Sequence, residues 1–249
     1  MSGHSKWKTI QHKKGLMDAK RGKIFSKMSK ELMIVARQGG SDQSTNASLR
    51  NLVQKAKASN MPNENITRAI KKGAGEVEGI VFEEVQYEGY AAGGVGVVVV
   101  ALTDNKNRAA AEIRHIFNKH GANLAAQGAV ARGFQRKGQI FVDSNTVDED
   151  KLMSLALDAG ADDLKRDGDQ FEILTDATTF ANVSEALEKA GVKAVSAEVG
   201  MVPMAYTPVK DKTAAQTVMK LVADLEENDD VQNVYTNMDV DEDTLKEIG

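Results

Sequence analysis

The sequence predicts an α+β protein, and two observations carry that prediction. The first 75 residues repeat apolar side chains at helical spacing, whereas the chain from residue 80 onward contains valine-rich runs typical of strands. From residue 95 the predicted elements follow the order strand, helix, strand, strand, helix, strand, and a second copy of this order interrupts the first. We therefore expect an N-terminal three-helix domain followed by two α+β units.

The N-terminal region begins with an arm. Its residues up to about Gly15 include Gly, Ser, His and Lys without an apolar period, which predicts a mobile segment. A first helix is predicted over Lys20 to Gln38, where Phe25 and Leu32 belong to an apolar stripe. Four lysines fall within an arc of about 80° on the other side of this helix: Lys20, Lys23, Lys27 and Lys30. One face is thus expected to pack, and the lysine face is expected to stay free of packing and dispensable for folding.

Two further helices complete this domain. Gly39 and Gly40 end the first helix in the manner of a left-handed C-terminal cap. The second helix is predicted over Ala47 to Asn60 and the third over Asn63 to Gly73, with Asn63 as its cap and Pro62 closing the second.

The remaining elements form the two α+β units. EEVQYEGY and VGVVVVALT are predicted strands, and the outer unit is assembled from strand 95–103, helix 107–120, strand 129–135, strand 199–206, helix 213–226 and strand 231–237. The inserted unit repeats the order with GQIFVD, helix 150–159, ADDLKR, QFEILTD, helix 179–190 and VKAVSAEV.

This order is that of a ferredoxin-like unit, so one such unit is predicted to be inserted into another. The predicted domains are residues 1–75, a basic arm and three-helix nucleic-acid-binding domain; residues 80–137 plus 199–240, a discontinuous ferredoxin-like domain; and residues 138–198, the inserted ferredoxin-like domain. Both termini of such a unit can lie close together, which makes the insertion physically tolerable.

Charge divides the chain at the same place. Up to Gly75 there are 16 lysines and arginines against 4 acidic residues, a net charge of +12, whereas the remainder has 16 basic and 32 acidic residues, a net charge of -16. A basic segment carried on an acidic body favours contact with nucleic acid over a merely solvated helical surface, which normally mixes signs. The acidic clusters DLEENDD and DVDED are interpreted as solvated faces.

Motifs for catalysis are not found. The glycines of GGVGVVVV precede a strand and do not match GxGxxG, and His115 and His120 are five residues apart and lack the HExxH context of a zinc pair. The chain has no cysteine, which suits a reducing cytoplasm. We therefore expect a cytoplasmic protein that is not an enzyme, with no catalytic residues, no metal, no cofactor, no small-molecule substrate and no membrane association.

The arm carries the strongest binding signal. Its candidate nucleic-acid-binding residues combine phosphate-neutralising charge with one ring that can stack on a base: His4, Lys6, Trp7, Lys8, His12, Lys13 and Lys14. Trp7 is equally compatible with pinning the arm onto the helical domain.

Further candidates lie on the helices. In the N-terminal domain they are Lys20, Arg21, Lys23, Lys27, Lys30, Arg68, Lys71 and Lys72. In TDNKNRA, Lys106 and Arg108 could hold phosphate at a helix start, while capping by Asp104 or Asn105 is about as plausible. RGFQRKG begins like an RNA-recognition consensus but departs from it at the fourth position, so base stacking there is weakly supported.

The sequence also resembles a known family. GHSKWKTIQHKK, DAKRGKIFSK, NMPNENITRAIKKGAGE, YEGYAAGGVGVVV, LTDNKNRAAAEIRHIFNKHGANL and DDVQNVYTN are similar to motifs of the YebC/PmpR family, which includes mitochondrial translational activators of cytochrome c oxidase subunit I. The resemblance covers nearly the whole chain. It implies a three-domain cytoplasmic protein described as a DNA-binding transcriptional regulator, with other members acting in translation on the ribosome or on messenger RNA.

The predicted function is therefore that of a non-enzymatic nucleic-acid-binding regulator of gene expression. Following the description of the family, we predict that it is a DNA-binding transcriptional regulator. The alternative is a translation factor associated with the ribosome or messenger RNA. DNA, or ribosomal or messenger RNA, is the expected partner, with ribosomal or transcription-associated proteins as further candidates.

Overall fold

The computed structural model describes residues 21–241 and 244–245. Its helices are α1 (Arg21–Gly39), α2 (Ala47–Ala58), α3 (Asn63–Gly73), α4 (Lys106–Lys119), α5 (Glu149–Asp158), α6 (Phe180–Lys189) and α7 (Lys212–Glu227). Its strands are β1 (Glu83–Tyr90), β2 (Gly96–Thr103), β3 (Asn123–Leu124), β4 (Phe134–Asp143), β5 (Ala161–Asp167), β6 (Gln170–Asp176), β7 (Ala194–Pro203), β8 (Thr207–Pro208), β9 (Val231–Thr236) and β10 (Met238–Asp239). The predicted α+β class is confirmed.

Helices α1 to α3 enclose their own apolar core, and we call residues 21–75 the helical domain. Leu32 of α1, Leu49 of α2 and Ile66 of α3 are buried in it. Gly40 has φ +85°, so the predicted left-handed residue after α1 is present. Asn46 caps α2 by accepting a hydrogen bond from Leu49 N, and its amide donates to the carbonyls of Val35 and Gly40, which joins α1 to α2.

The third helix differs slightly from the prediction. Asn63 is its first residue, and Pro62 occupies the capping position without a side-chain hydrogen bond. Proline is compatible with a helix start because its fixed φ suits the helix and the N–H that it lacks would have no partner there.

The rest of the described chain, which we call the body (residues 83–241), contains two antiparallel four-stranded sheets and a parallel pair of short strands, β8 and β10. The strand orders of the four-stranded sheets are β3-β1-β2-β9 and β5-β6-β4-β7. Helices α4 and α7 cover the first sheet, while α5 and α6 cover the second. Each sheet has a separate core, with Phe117 and Leu221 in the first and Phe171 and Leu152 in the second. In the second sheet the chain follows the predicted strand, helix, strand, strand, helix, strand order.

The first sheet is built differently from the prediction. Residues 129–133 do not form a strand, and β1, which lies earlier in the chain, occupies the position beside β3. The cause is the buried Glu88 carboxylate, which accepts hydrogen bonds from the backbone amides of Gly128, Val130 and Ala131 at 2.7–2.8 Å. Amides turned toward a carboxylate cannot join a ladder, so the segment forms a turn and a 3₁₀ helix.

Strands β4 and β7 connect the two sheets. They pair along their length, from Phe134 opposite Pro203 to Val142 opposite Ala194. The predicted boundaries 137/138 and 198/199 therefore fall inside continuous strands. At the end of this strand pair where β4 begins, Phe134 and Met201 pack with Val98 and Tyr235 of the first sheet. The two sheets therefore share an apolar contact.

Candidate nucleic-acid interface

The predicted arm and Lys20, the predicted first residue of the first helix, lie outside the described residues. This applies to His4, Lys6, Trp7, Lys8, His12, Lys13, Lys14 and Lys20. Arg21 is the first residue of α1. The remaining candidates fall into three places, namely the lysine face of α1, the exposed side of α3 and the start of α4.

The lysine face of α1 contacts the body. We call Lys23, Lys27 and Lys30 the lysine row, and Glu226, Glu227, Asp229 and Asp230 at the end of α7 the acidic end. Lys23 Nζ binds the Glu227 carbonyl and lies 3.0 Å from Glu227 Oε2, while Lys27 Nζ donates to the Glu226 carbonyl at 2.9 Å. Burial lowers the pKa of Lys27, although Glu226 opposes this effect.

These contacts give the carbonyl groups at the end of α7 the hydrogen-bond donors that the helix itself does not provide. The last carbonyls of a helix have no partner inside it and carry the negative end of the helix dipole. The last turn of α7 contains no basic residue. Lysines from another domain therefore cap this helix, and the expectation that the lysine face is free of packing is wrong.

Asp230 is the most buried member of the acidic end. Its carboxylate lies 2.8 Å from Lys30 Nζ and 2.7 Å from Arg108 Nη2, and it accepts a hydrogen bond from Thr103 at 2.9 Å. Burial raises the pKa of Asp230, but the hydrogen bonds from Lys30, Arg108 and Thr103 outweigh this effect and hold that pKa below its usual value. One carboxylate thus joins α1, β2 and α4.

The same contacts determine the role of TDNKNRA. Asn105 caps α4 by accepting a hydrogen bond from Arg108 N at 3.0 Å, so the capping interpretation is confirmed. Lys106 is paired with Glu83, and the Arg108 guanidinium is paired with Asp104 and Asp230. Their use for phosphate remains a prediction, since in this arrangement both cations already have carboxylate partners.

The exposed side of α3 forms a groove with α1. This α1–α3 groove has a volume of about 370 Å³ and is lined by Gly22, Phe25, Ser26, Ser29, Met33, Asn65, Arg68, Ala69 and Lys72. None of these described lining residues carries a carboxylate. Phe25, Met33 and Ala69 supply apolar surface, and Arg68 and Lys72 supply positive charge. Lys71 is exposed beside them on α3.

Close packing of the two helices shapes this groove. A Cβ on Gly73 would collide with the Met33 carbonyl and lie 2.7 Å from the Met33 Cα, so only glycine permits the approach. Arg68 and Lys72 are four residues apart and therefore share a face of α3. On α1, the groove residues lie about 100° around the helix from the lysine row.

A second cleft adjoins the groove. Its volume is also about 370 Å³, and it shares Met33 and Lys72 with the α1–α3 groove. Arg37 lines it together with residues 77–82, among which Val77, Ile80 and Val81 are exposed. Cationic side chains therefore continue from Arg68 past Lys72 to Arg37, although the second cleft also contains the Glu78 carboxylate.

Glu31 of α1 is partly buried. Burial raises the pKa of Glu31, against the opposing influence of Lys55 and Lys27, and nearby Glu198 of β7 raises it further. An acidic side chain of the helical domain thus lies near an acidic side chain of the second sheet, on the side of α1 away from the groove.

Other candidates are structural. Phe134 of RGFQRKG is 7% exposed and packs in the contact between the sheets, so it is not free to stack on a base. His120 lies 2.9 Å from Asp224 of α7. Across residues 21–241 and 244–245, no histidine, aspartate or glutamate cluster could hold a metal ion, and no helix within that range is long and apolar enough to cross a membrane.

Sequence reasoning missed the acidic end and Arg37. DLEENDD was interpreted as a solvated face, which is wrong for Asp230, since it is 5% exposed. The missing information was the partner: buried carboxylates require cations, and the candidate cations were all assigned to nucleic acid.

Comparison with known proteins places this geometry in a family. Residues 5–76 match the N-terminal domain of the TACO1/YebC protein, and residues 82–238 match the TACO1/YebC second and third domain. The chain belongs to the TACO1/YebC family. The family's division of the sequence falls between the helical domain and the body.

Full-length relatives support this assignment. A probable transcriptional regulatory protein of Syntrophobacter fumaroxidans is 52% identical over 100% of both chains, and one of Clostridium novyi is 54% identical over 97% of this chain and 98% of its own. The crystal structure of a conserved hypothetical protein from Aquifex aeolicus has a TM-score of 0.82 and 47% identity, covering 90% of this chain and 93% of that one. The TACO1/YebC fold therefore extends across the described residues.

Proposed function

We propose that this protein is a non-enzymatic regulator of gene expression that binds nucleic acid through its helical domain and arm, and that it acts on DNA as a transcriptional regulator. The names of its relatives support the regulatory role. The single structural observation that carries the proposal is the α1–α3 groove, since its polar lining consists of hydroxyl, amide and cationic groups.

This lining suits a phosphate backbone. Arginine, lysine, serine and asparagine side chains are the usual partners of phosphate oxygens in protein–DNA complexes, and a carboxylate in the same place would repel them. Gly22 lines the groove and directly follows Arg21, which is another of the predicted nucleic-acid-binding residues.

The acidic body would restrict where nucleic acid binds. Residues 76–249 carry 32 acidic against 16 basic side chains. A polyanion approaching this surface is repelled, whereas the helical domain attracts it, so the charge distribution orients the encounter. Phosphate contacts fix position and do not read sequence, which is left to the arm or to duplex shape.

One observation favours a second candidate function, that of a ribosome- or messenger-RNA-associated translation factor. The groove is a concave cleft with Phe25 exposed at an intermediate level in its wall. Duplex DNA is commonly read by an element that protrudes into its major groove, whereas unpaired bases stack on aromatic rings in clefts. A single-stranded RNA segment would suit this geometry.

Charge reversal in the groove tests the proposal. The double variant R68E/K72E is expected to lose at least tenfold in affinity for nucleic acid and to show a shallower salt dependence, because each lost phosphate contact removes about 0.7–0.9 from the log–log slope. Binding is measured by fluorescence anisotropy of the full chain with duplex DNA, single-stranded DNA and RNA.

The matched control reverses two exposed lysines of the body, K210E/K220E, which changes net charge equally. An equal loss of affinity in both variants would indicate that only overall charge matters, and it would contradict the assignment of the groove as the binding surface. Competition with excess random duplex at physiological salt, together with cosedimentation with ribosomes, separates the two functions. If the competitor abolishes all DNA binding and the protein associates saturably with ribosomes, the proposal of a transcriptional regulator is wrong and that of a translation factor takes its place.

A further inference from the structure

The lysine row has an occupant within the chain, and that occupant resembles a polyanion. The acidic end presents carbonyl oxygens of Glu226, Glu227 and Asp229 and carboxylates of Glu227, Asp229 and Asp230 to three ammonium groups. Lys23, Lys27 and Lys30 extend over about 10 Å of helix at 1.5 Å per residue. Phosphate groups along a nucleic-acid strand would present similar anionic oxygens to the same row.

We propose that the lysine row is a second nucleic-acid-binding surface, closed by the acidic end, and that a bound phosphate backbone displaces this end and releases the helical domain from α7. This inference rests on the proposed function, since it concerns how the same nucleic acid reaches its full binding surface. The chain would exist in a closed arrangement, in which the α1–α3 groove is available and the lysine row is covered, and in an open arrangement, in which both are available.

The contacts that hold the acidic end against the lysine row are weak enough for a phosphate backbone to displace them. Glu227 and Asp229 have side chains 58% and 88% exposed, and exposed ion pairs contribute little and weaken with salt. Lys27 is held by a backbone carbonyl, which carries no full charge. Asp230 is the one carboxylate of the acidic end that is removed from solvent, and it keeps Arg108 and Thr103 as partners if Lys30 leaves.

The position of the α1–α3 groove would also help nucleic acid to displace the acidic end. It lies about 100° around α1 from the lysine row and is open in the closed arrangement. Nucleic acid can therefore bind at the groove first and then compete for the neighbouring face of the same helix. Because the open form binds through more cations, binding shifts the population toward it.

Neutralising the exposed part of the acidic end tests this inference. The full-length variant E227Q/D229N is compared with the wild type and with E188Q/D158N, which removes two exposed carboxylates elsewhere on the body. The probes are a 20-nucleotide single-stranded DNA and an RNA of the same length. We expect E227Q/D229N to bind about three- to tenfold more tightly, the gain that follows if the open arrangement is populated at roughly 10–30% in the wild type.

A distance measurement reports the opening itself. Since the chain has no cysteine, S48C and T213C place one dye on α2 and one on α7. Energy transfer between the dyes is expected to fall when nucleic acid binds, and to be low already in E227Q/D229N without it. E188Q/D158N is expected to behave as the wild type in both measurements.

Two results would overturn the inference, and they have different meanings. Nucleic acid that binds without changing energy transfer, with equal affinity for E227Q/D229N and E188Q/D158N, would show that the acidic end does not compete, while leaving the proposed function intact. Absence of binding in the wild type and in every variant would remove the proposed function and this inference with it.

Discussion

The Lys30 ammonium lies 2.8 Å from the Asp230 carboxylate, and the two side chains are only 14% and 6% exposed. These residues come from the basic and the acidic parts of a chain whose charges are strongly segregated in sequence. The segregation therefore serves the fold, because it provides the attraction between the helical domain and the body.

Removing the charge of Asp230 is expected to destabilise the protein. In D230N the cations Lys30 and Arg108 lose their shared carboxylate inside a largely desolvated contact, which we expect to lower the free energy of unfolding by about 1.5–3 kcal/mol. Urea denaturation measures the change. D229N, the same substitution at the exposed neighbour, is the control and should change it by less than about 0.5 kcal/mol. Equal effects of the two substitutions would contradict the role assigned to Asp230.

Glu31 is expected to oppose stability at neutral pH. Burial raises its pKa in the folded protein, so the folded state favours the protonated form more than the unfolded state does. A raised carboxyl pKa stabilises most at low pH, and this contribution is lost as pH rises through the folded value. E31Q should therefore raise the melting temperature at pH 7, and the difference from wild type should vanish below about pH 4. A lower melting temperature at pH 7 would show that the charged form of Glu31 is needed.

Glu88 is expected to behave in the opposite way. Burial raises its pKa, but hydrogen bonds from the amides of Ala131, Gly128 and Val130 outweigh this effect and lower it. A lowered carboxyl pKa gives stability that is present above the unfolded value of about 4 and lost as pH falls below it. E88Q should cost about 1–3 kcal/mol at pH 7 and flatten the loss of stability in acid. E84Q, at an exposed position of the same strand, is the control, and a similar cost there would count against this account.

Gly73 is expected to tolerate no side chain. In G73A the added Cβ must push α1 and α3 apart at Met33, which we expect to cost about 1–3 kcal/mol and to reshape the α1–α3 groove. In G22A the added Cβ meets nothing within 4 Å, so this helix position should be neutral or gain up to about 1 kcal/mol. Thermal unfolding compares the two. An unchanged stability of G73A would mean that the helices are not in close contact.

Local patterns predicted most of the elements. The apolar period of residues 25–36 is that of α1, and the left-handed glycine after it is present because a helix end requires an exit that L side chains resist. In the inserted unit, the order of strands and helices could be predicted from the sequence. Each element buries one face, so its apolar residues repeat at the spacing of a strand or of a helix. These features depend on residues close together in the chain.

The errors concern contacts between distant residues. The segment 129–133 was predicted as part of a strand, but the carboxylate of Glu88, some forty positions earlier, withdraws its amides from pairing. Lys23 and Glu227 are 204 residues apart, so no local pattern connects them. A lysine face and an acidic cluster each look solvated in isolation, and only the tertiary structure shows that they meet.

The central claim is that nucleic acid binds to the helical domain and arm. Ultraviolet crosslinking of the full chain to the nucleic acid that it binds in cells, followed by identification of both the modified peptides and the attached sequences, tests it most directly. We predict that the modified residues lie within residues 1–75 and include side chains of the α1–α3 groove, and the attached sequences distinguish DNA from RNA. Crosslinks confined to the acidic body would contradict the account.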